Sequence, residues 1–160
     1  MHEHLKRRDS LQWVCDSCGT SINEASDGWL EWLNREENDR RVNHSPRIVH
    51  ARSASPLPHG CQYDQKSEFQ RERNLVNDLP LTEFSGADGL ITLLRFVSEG
   101  YYGQEPALEI IKRLQVPDYD LVHRHFDAAI GEGVFEPNTK PGYYGVDEIQ
   151  AVKHWLEQQK

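Results

Sequence analysis

Apolar residues follow two different rhythms along this chain. Up to about residue 65 they come in short clusters parted by polar turns, at 11–15, 27–33 and 47–51. From about residue 80 they recur every three or four positions. The first rhythm is that of short strands and the second that of amphipathic helices. "LQWVC" reads as one strand. "DGWLEWL" reads as another, opened by the turn signal Asp27-Gly28 and rich in aromatic residues that suit a pleated surface. "RIVHA" is a third. Trp29 to Leu33 carries apolar groups on both faces, which implies a strand buried on both sides or a short helix. Between the second and third clusters, "NREENDRRVNHSP" is polar and reads as a long exposed loop with solvated charges. "QKSEFQRERNLVND", residues 65–78, reads as a helical connector.

Four helices are expected after it. Ser85 and Asp88 form a capping-box variant ahead of an apolar run. Leu90, Leu93, Leu94 and Val97 share one face of the helix that follows, widened by Ile91 and Phe96, and predict a deeply packed element. In "EPALEIIKRLQ", Pro106 suits a first turn, and Ala107, Ile110, Ile111 and Leu114 fall at helical spacing. "DYDLVHRHFDAAIGEG" places Val122, Phe126, Ala129 and Ile130 on one side and ends at Gly131 and Gly133. The last helix carries Ile149, Val152, Trp155 and Leu156. The fold class is therefore α+β, a small β module followed by a mostly helical C-terminal bundle.

Composition narrows the picture. The chain has 160 residues, 37% hydrophobic, with a mean hydropathy of -0.76, so the core is modest and gains from a staple such as a bound metal. The formal net charge is -8. Up to residue 78 there are 11 Lys+Arg against 13 Asp+Glu, and beyond it 7 against 13, so most of the acidic surplus belongs to the second half. Broad electrostatic binding to nucleic acid is disfavoured. No run of about 18 apolar residues predicts a membrane span. "MHEHLKRRDS" lacks the apolar stretch of a secretory signal. The cysteine count of three is odd, which suits thiolates held by metal in a reducing cytoplasm better than a disulfide framework.

Two of those cysteines stand in "WVCDSCGT". A Cys-x-x-Cys of redox type begins a helix inside a βαβ unit, and no such pattern surrounds this one. Gly19 directly after Cys18 suits a metal knuckle, a tight turn whose amides face the sulfurs. A closed zinc site needs four ligands in a tetrahedron. Cys61 is the natural third. His50 ends an apolar run where a strand would hold it rigidly, and it is preferred as the fourth over His59 and then His44. The expected metal set is Cys15, Cys18, His50 and Cys61. The bland alternative is that Cys61 is a buried free thiol. His2 and His4 are possible adventitious metal ligands. His123 and His125, two apart on a helix, diverge and cannot share an ion.

The "CDSCG" knuckle resembles those of zinc-ribbon and treble-clef-like modules, over residues 11–65, and the chain resembles small bacterial or phage proteins with a knuckle ahead of a helical tail. The resemblance departs at Cys61, which has no second cysteine two positions away. The expected organisation is a zinc-binding β module over 11–65, a connector over 66–79 and a four-helix region over 80–160.

Three thiolates make a poor Lewis acid, so the Zn2+ is expected to be structural. The leading functional expectation is a non-enzymatic protein that binds another protein. One alternative is a nucleic-acid-binding regulator with a helix-turn-helix-like element in "EIIKRLQVPDYDLVHRHF". It would use Lys112, Arg113 and Arg124, helped by Arg40, Arg41, Arg47 and Arg52 around the zinc site. Another is a metal-dependent nuclease or hydrolase built on His44. Tyr101, Tyr102, Tyr143 and Tyr144 are expected to cap the helical core more than to form a recognition surface.

Overall fold

The computed structural model describes residues 11–160; the N-terminal segment that carries His2 and His4 lies outside them. The chain divides into two compact units, one ending at Pro117 and one spanning Asp118–Lys160.

The first unit opens with a two-stranded ribbon, β1 (Trp13–Val14) against β2 (Ser21–Ile22). A three-stranded antiparallel sheet follows, with β3 (Gly28–Glu37) between β4 (Arg40–His50) and β5 (Leu75–Pro80). The central place of β3 explains its doubly apolar sequence: Leu30, Glu31, Trp32 and Leu33 are all buried. Leu30 and Trp32 join the main core with Trp13, Ile48, Phe84 and Phe96. Glu31, which alternates with them, meets Arg47 and Tyr63.

The polar stretch 34–46 is a hairpin, not the exposed loop its composition suggests. β3 and β4 run past the core as a ribbon and turn at Asn38 and Asp39, with φ of 51° and 63°. Both residues tolerate the left-handed region that a two-residue hairpin turn demands. Glu37 faces Arg40 and Glu36 faces Arg41, so opposite charges lie directly across the ladder. The register slips between Glu31 and Leu33, opposite Ser45-Pro46. Ser45 has φ 54°, and proline is admitted because β4 is an edge strand with a bulge there.

Helix α1 (Gln65–Glu72) occupies the first part of the expected connector, its start capped by the Asp64 carboxylate. The second part is β5. Gln65 seals the join by donating to the Asn74 carbonyl and accepting from the Val76 amide. Residues 66–79 thus supply most of a helix and of the third strand of the sheet.

Helix α2 (Gly86–Ser98) begins at Ser85 as expected, but the capping box does not form: the Ser85 hydroxyl donates to the Thr82 carbonyl. The buried side of α2 is Gly89, Leu93 and Phe96, while Leu90, Ile91 and Leu94 are exposed. Gly89 sets this rotation, because a Cβ there would lie 2.0 Å from the Phe84 carbonyl carbon. The helix lays its glycine ridge on that backbone, and the expected apolar face turns partly outward. Helix α3 (Gln104–Gln115) buries Ala107, Ile110, Arg113 and Leu114. Its Gln115 amide donates to the Phe84 carbonyl, and Trp13 Nε1 donates to the Arg113 carbonyl at 3.1 Å. These helices belong with the sheet, so the division at Pro117 falls later than the expected connector.

The second unit contains α4 (Tyr119–Val122), a 3-10 turn over His123–His125, α5 (Phe126–Gly131) and α6 (Val146–Glu157). Tyr119, Val122, Phe126, Ala129, Tyr144, Ile149 and Val152 are buried. Tyr144 stacks edge-on against Phe126 and Phe135, with centroids 4.9 and 4.8 Å apart. The overall class is mixed α and β, with small sheets beside helices and a Cys/His cluster near the first strands. Among the described residues no helix is long and apolar enough to cross a membrane.

Candidate metal centre

Four side chains from three separate parts of the first unit converge. Cys15 and Cys18 come from the turn between β1 and β2, His50 from the last residue of β4, and Cys61 from the segment before α1. Their ligand atoms all lie within 4.8 Å of one another. His50 Nδ1 is 3.4 Å from Cys18 Sγ and 3.9 Å from Cys61 Sγ. Zinc–sulfur bonds of about 2.3 Å and zinc–nitrogen bonds of about 2.0 Å set tetrahedral sulfur–nitrogen and sulfur–sulfur pairs roughly 3.5–3.8 Å apart. The two His50–sulfur distances lie close to that range, and with every ligand atom within 4.8 Å of the others the four residues can close around an ion of that size. Cys15 and Cys61 are each 1% exposed and His50 5%.

The knuckle is built by its backbone. The Cys15 amide donates to the Thr20 carbonyl, the Gly19 amide donates to the Cys15 carbonyl, and the Cys18 amide points at Cys15 Sγ at 3.5 Å. Gly19, at φ 77°, takes the left-handed conformation that closes this turn. His50 is oriented from behind, since its Nε2–H meets the Ser21 carbonyl at 3.0 Å. That bond fixes the tautomer and leaves the Nδ1 lone pair facing the three sulfurs. Hydroxyls lie against two of the sulfurs, Thr20 Oγ1 3.1 Å from Cys18 and Ser55 Oγ 3.1 Å from Cys61.

The Cys18 and Cys61 thiols are shifted by their surroundings. Burial raises Cys18, but hydrogen bonds from Thr20 and the other two cysteines outweigh it and hold the thiol down to about 6. Burial and the neighbouring Cys15 and Cys18 push Cys61 up to about 11. Three thiolates packed this closely repel one another, and a bound cation removes that penalty.

Two ion pairs support the ligands. Asp16, inside the knuckle, accepts from the Ile48 amide and takes a two-pronged bond from Arg113 Nη1 at 2.8 Å and Nη2 at 3.1 Å. This ties the knuckle to β4 two residues before His50, and to α3. On the other side, buried Glu31 accepts from Arg47 Nε and from the Tyr63 amide. Arg47 also donates to the Cys61 carbonyl and lies 3.7 Å over the Tyr63 ring. The Cys61–Tyr63 segment is held by β3 and β4 through that cluster. Burial raises the Glu31 carboxyl, against the bonds from Tyr63 and Arg47. Sequence reasoning missed both pairs, because Asp16 and Glu31 find their cations 97 and 16 residues away.

His44, a weaker candidate ligand, is engaged elsewhere, between Ser45 Oγ and Asn74 Oδ1 at 2.9 and 2.8 Å. His59 is exposed and outside the cluster. Most of the cations named for the helix-turn-helix alternative are engaged within the protein, while Arg40 and Arg52 are exposed. Arg113 is 6% exposed and bound to Asp16, Lys112 pairs with Glu109, and Arg124 meets Asp120. Arg47 is committed to Glu31 and Arg41 to Asn34. His123 stacks on Tyr119 and contacts Asp120. Tyr102 and Tyr144 are buried, while Tyr143 is 37% exposed. Comparison with known proteins finds no matching family model, no matching curated protein and no matching solved structure.

Proposed function

We propose that Cys15, Cys18, His50 and Cys61 hold a structural Zn2+, and that the protein is a non-enzymatic binding partner of another protein. The carrying observation is the closed donor set: three sulfurs and one imidazole nitrogen gathered within 4.8 Å, with Cys15, His50 and Cys61 nearly excluded from water and Cys18 half-buried. Sulfur-rich tetrahedral sites select zinc over hard cations. With all four positions filled by protein there is no open site for water or substrate, and three thiolates blunt the ion as a Lewis acid. The carboxylates that brace the ligand segments, Asp16 and Glu31, are bound to arginines and backbone amides. Three free thiols gathered around a histidine fit a reducing compartment, which supports a cytoplasmic location.

The test is cobalt substitution. Co2+ in the site gives the intense visible bands of tetrahedral sulfur coordination, and those bands stay unchanged on adding azide, because no ligand position is open. Chelation of the native ion lowers the melting temperature. A spectrum that shifts with azide, or hydrolysis of nucleic acid that is lost with Cys61→Ser, would overturn the structural reading.

A further inference from the structure

The exposed face of α2 is self-complementary, and we infer that it pairs with the same helix of a second copy of the chain, antiparallel, across a two-fold axis. Leu90, Ile91 and Leu94 are 37%, 64% and 52% exposed, a large apolar share for one thirteen-residue helix. A contiguous exposed apolar stripe marks an interaction surface. Ala87, Ile91, Leu94 and Ser98 follow the alternating four–three–four spacing of a seam that packs against another helix.

Charge complementarity identifies the occupant. Along one edge of the seam stand Asp88 and Arg95, both exposed and seven residues apart. Along the other edge stand Leu90, which is exposed, and Val97, half-buried against the core, also seven apart. When two such helices meet antiparallel, each edge faces the same edge of its partner. The register that seats Ile91 against Leu94 of the other copy then sets Asp88 beside the opposing Arg95, twice by symmetry. It sets Leu90 beside the opposing Val97, and the small residues Ala87 and Ser98 meet at both ends. A parallel pair would turn each edge to the opposite edge of its partner, setting Arg95 beside Leu90 and leaving Asp88 without an opposing guanidinium. Residue i meets j and j meets i, as an isologous two-fold interface requires. Arg95 already reaches Glu99 at 3.0 Å, but that exposed pair is weak and leaves the guanidinium open to a second carboxylate. The pairing is independent of the metal centre.

Sedimentation equilibrium of the full chain over about 1–500 µM tests it. The chain is expected to dimerise. Ile91→Glu should raise the dimer dissociation constant at least about tenfold, because it buries a carboxylate in the seam. Asp88→Arg should weaken the dimer, and the double change Asp88→Arg with Arg95→Asp should restore it. All three positions are exposed, so circular dichroism and metal content should match the unaltered protein in every variant. A monomer at every concentration, a dimer indifferent to Ile91→Glu, or a double change that fails to rescue would overturn the pairing. Metal content on the same samples reports separately on the zinc reading.

Discussion

Arg113→Met is the perturbation that probes how the metal centre is built into the fold. The Arg113 side chain is 7% exposed, and it holds the Asp16 carboxylate through two charged hydrogen bonds of 2.8 and 3.1 Å. Breaking a buried pair by removing one partner costs about 3–5 kcal/mol. Here the survivor is better placed. Asp16 keeps the Ile48 amide, and its side chain is 23% exposed, so water can partly replace the guanidinium. Methionine preserves most of the buried aliphatic volume. Those terms bring the expected loss to about 2–3 kcal/mol. Asp16→Asn alone also destabilises. The double change should cost less than the two singles together, with a coupling of about 1.5–3 kcal/mol. The assay is urea unfolding of metal-loaded protein by tryptophan fluorescence, with three of the four tryptophans, Trp13, Trp29 and Trp32, in the first unit. Because Asp16 positions both the knuckle and the strand that carries His50, zinc affinity should also fall about tenfold or more, read by competition with a chelator. A coupling below about 0.5 kcal/mol with unchanged zinc affinity would refute the reasoning.

Other outcomes follow from the same geometry. Gly89→Ala should lower stability by about 2–3 kcal/mol, since its Cβ meets Phe84 backbone and not a movable side chain; an unchanged thermal melt would contradict that packing. Burial raises the folded-state carboxyl of Glu31 above its ordinary value of 4.5, so its ionisation works against the fold. The wild type should therefore lose stability as pH rises from about 4.5 through the higher folded value, and Glu31→Gln should lack that slope in urea midpoints taken across the window. In metal-loaded protein under partial chelation, Cys18 should be alkylated first, because it is half-buried while Cys15 and Cys61 are sealed. Peptide mapping that finds Cys61 modified first would contradict the burial order.

What the sequence discloses about this protein divides by the range of the interaction. The knuckle is local chemistry, so Cys15, Cys18 and Gly19 announce it within five residues. His50 is legible because the apolar run before it predicts a strand that holds it still. The hairpin over 34–46 is hidden because its strands extend beyond the core, where no apolar alternation is needed. The clue lay in Asn38-Asp39 and the mirrored charges on either side, Glu36-Glu37 and Arg40-Arg41. β5 is hidden for a related reason: as an edge strand that pairs with β3 across 40 or more intervening residues, it needs little apolar signal of its own. The rotation of α2 was decided by one glycine seated on Phe84 backbone, a contact that periodicity does not register. Arg113 reads in the sequence as a surface cation, and it is buried because the carboxylate it needs lies in the knuckle at the far end of the unit's sequence.

The central claim is that Cys15, Cys18, His50 and Cys61 hold one structural ion. The most direct test is the metal content of purified, tag-free protein by native mass spectrometry, beside single alanine changes at those four positions and at His44 and His59. One zinc per chain is predicted, lost together with native folding in each of the four variants and retained in His44→Ala and His59→Ala. Protein that carries no metal, or zinc that survives His50→Ala and departs with His59→Ala, would contradict the account.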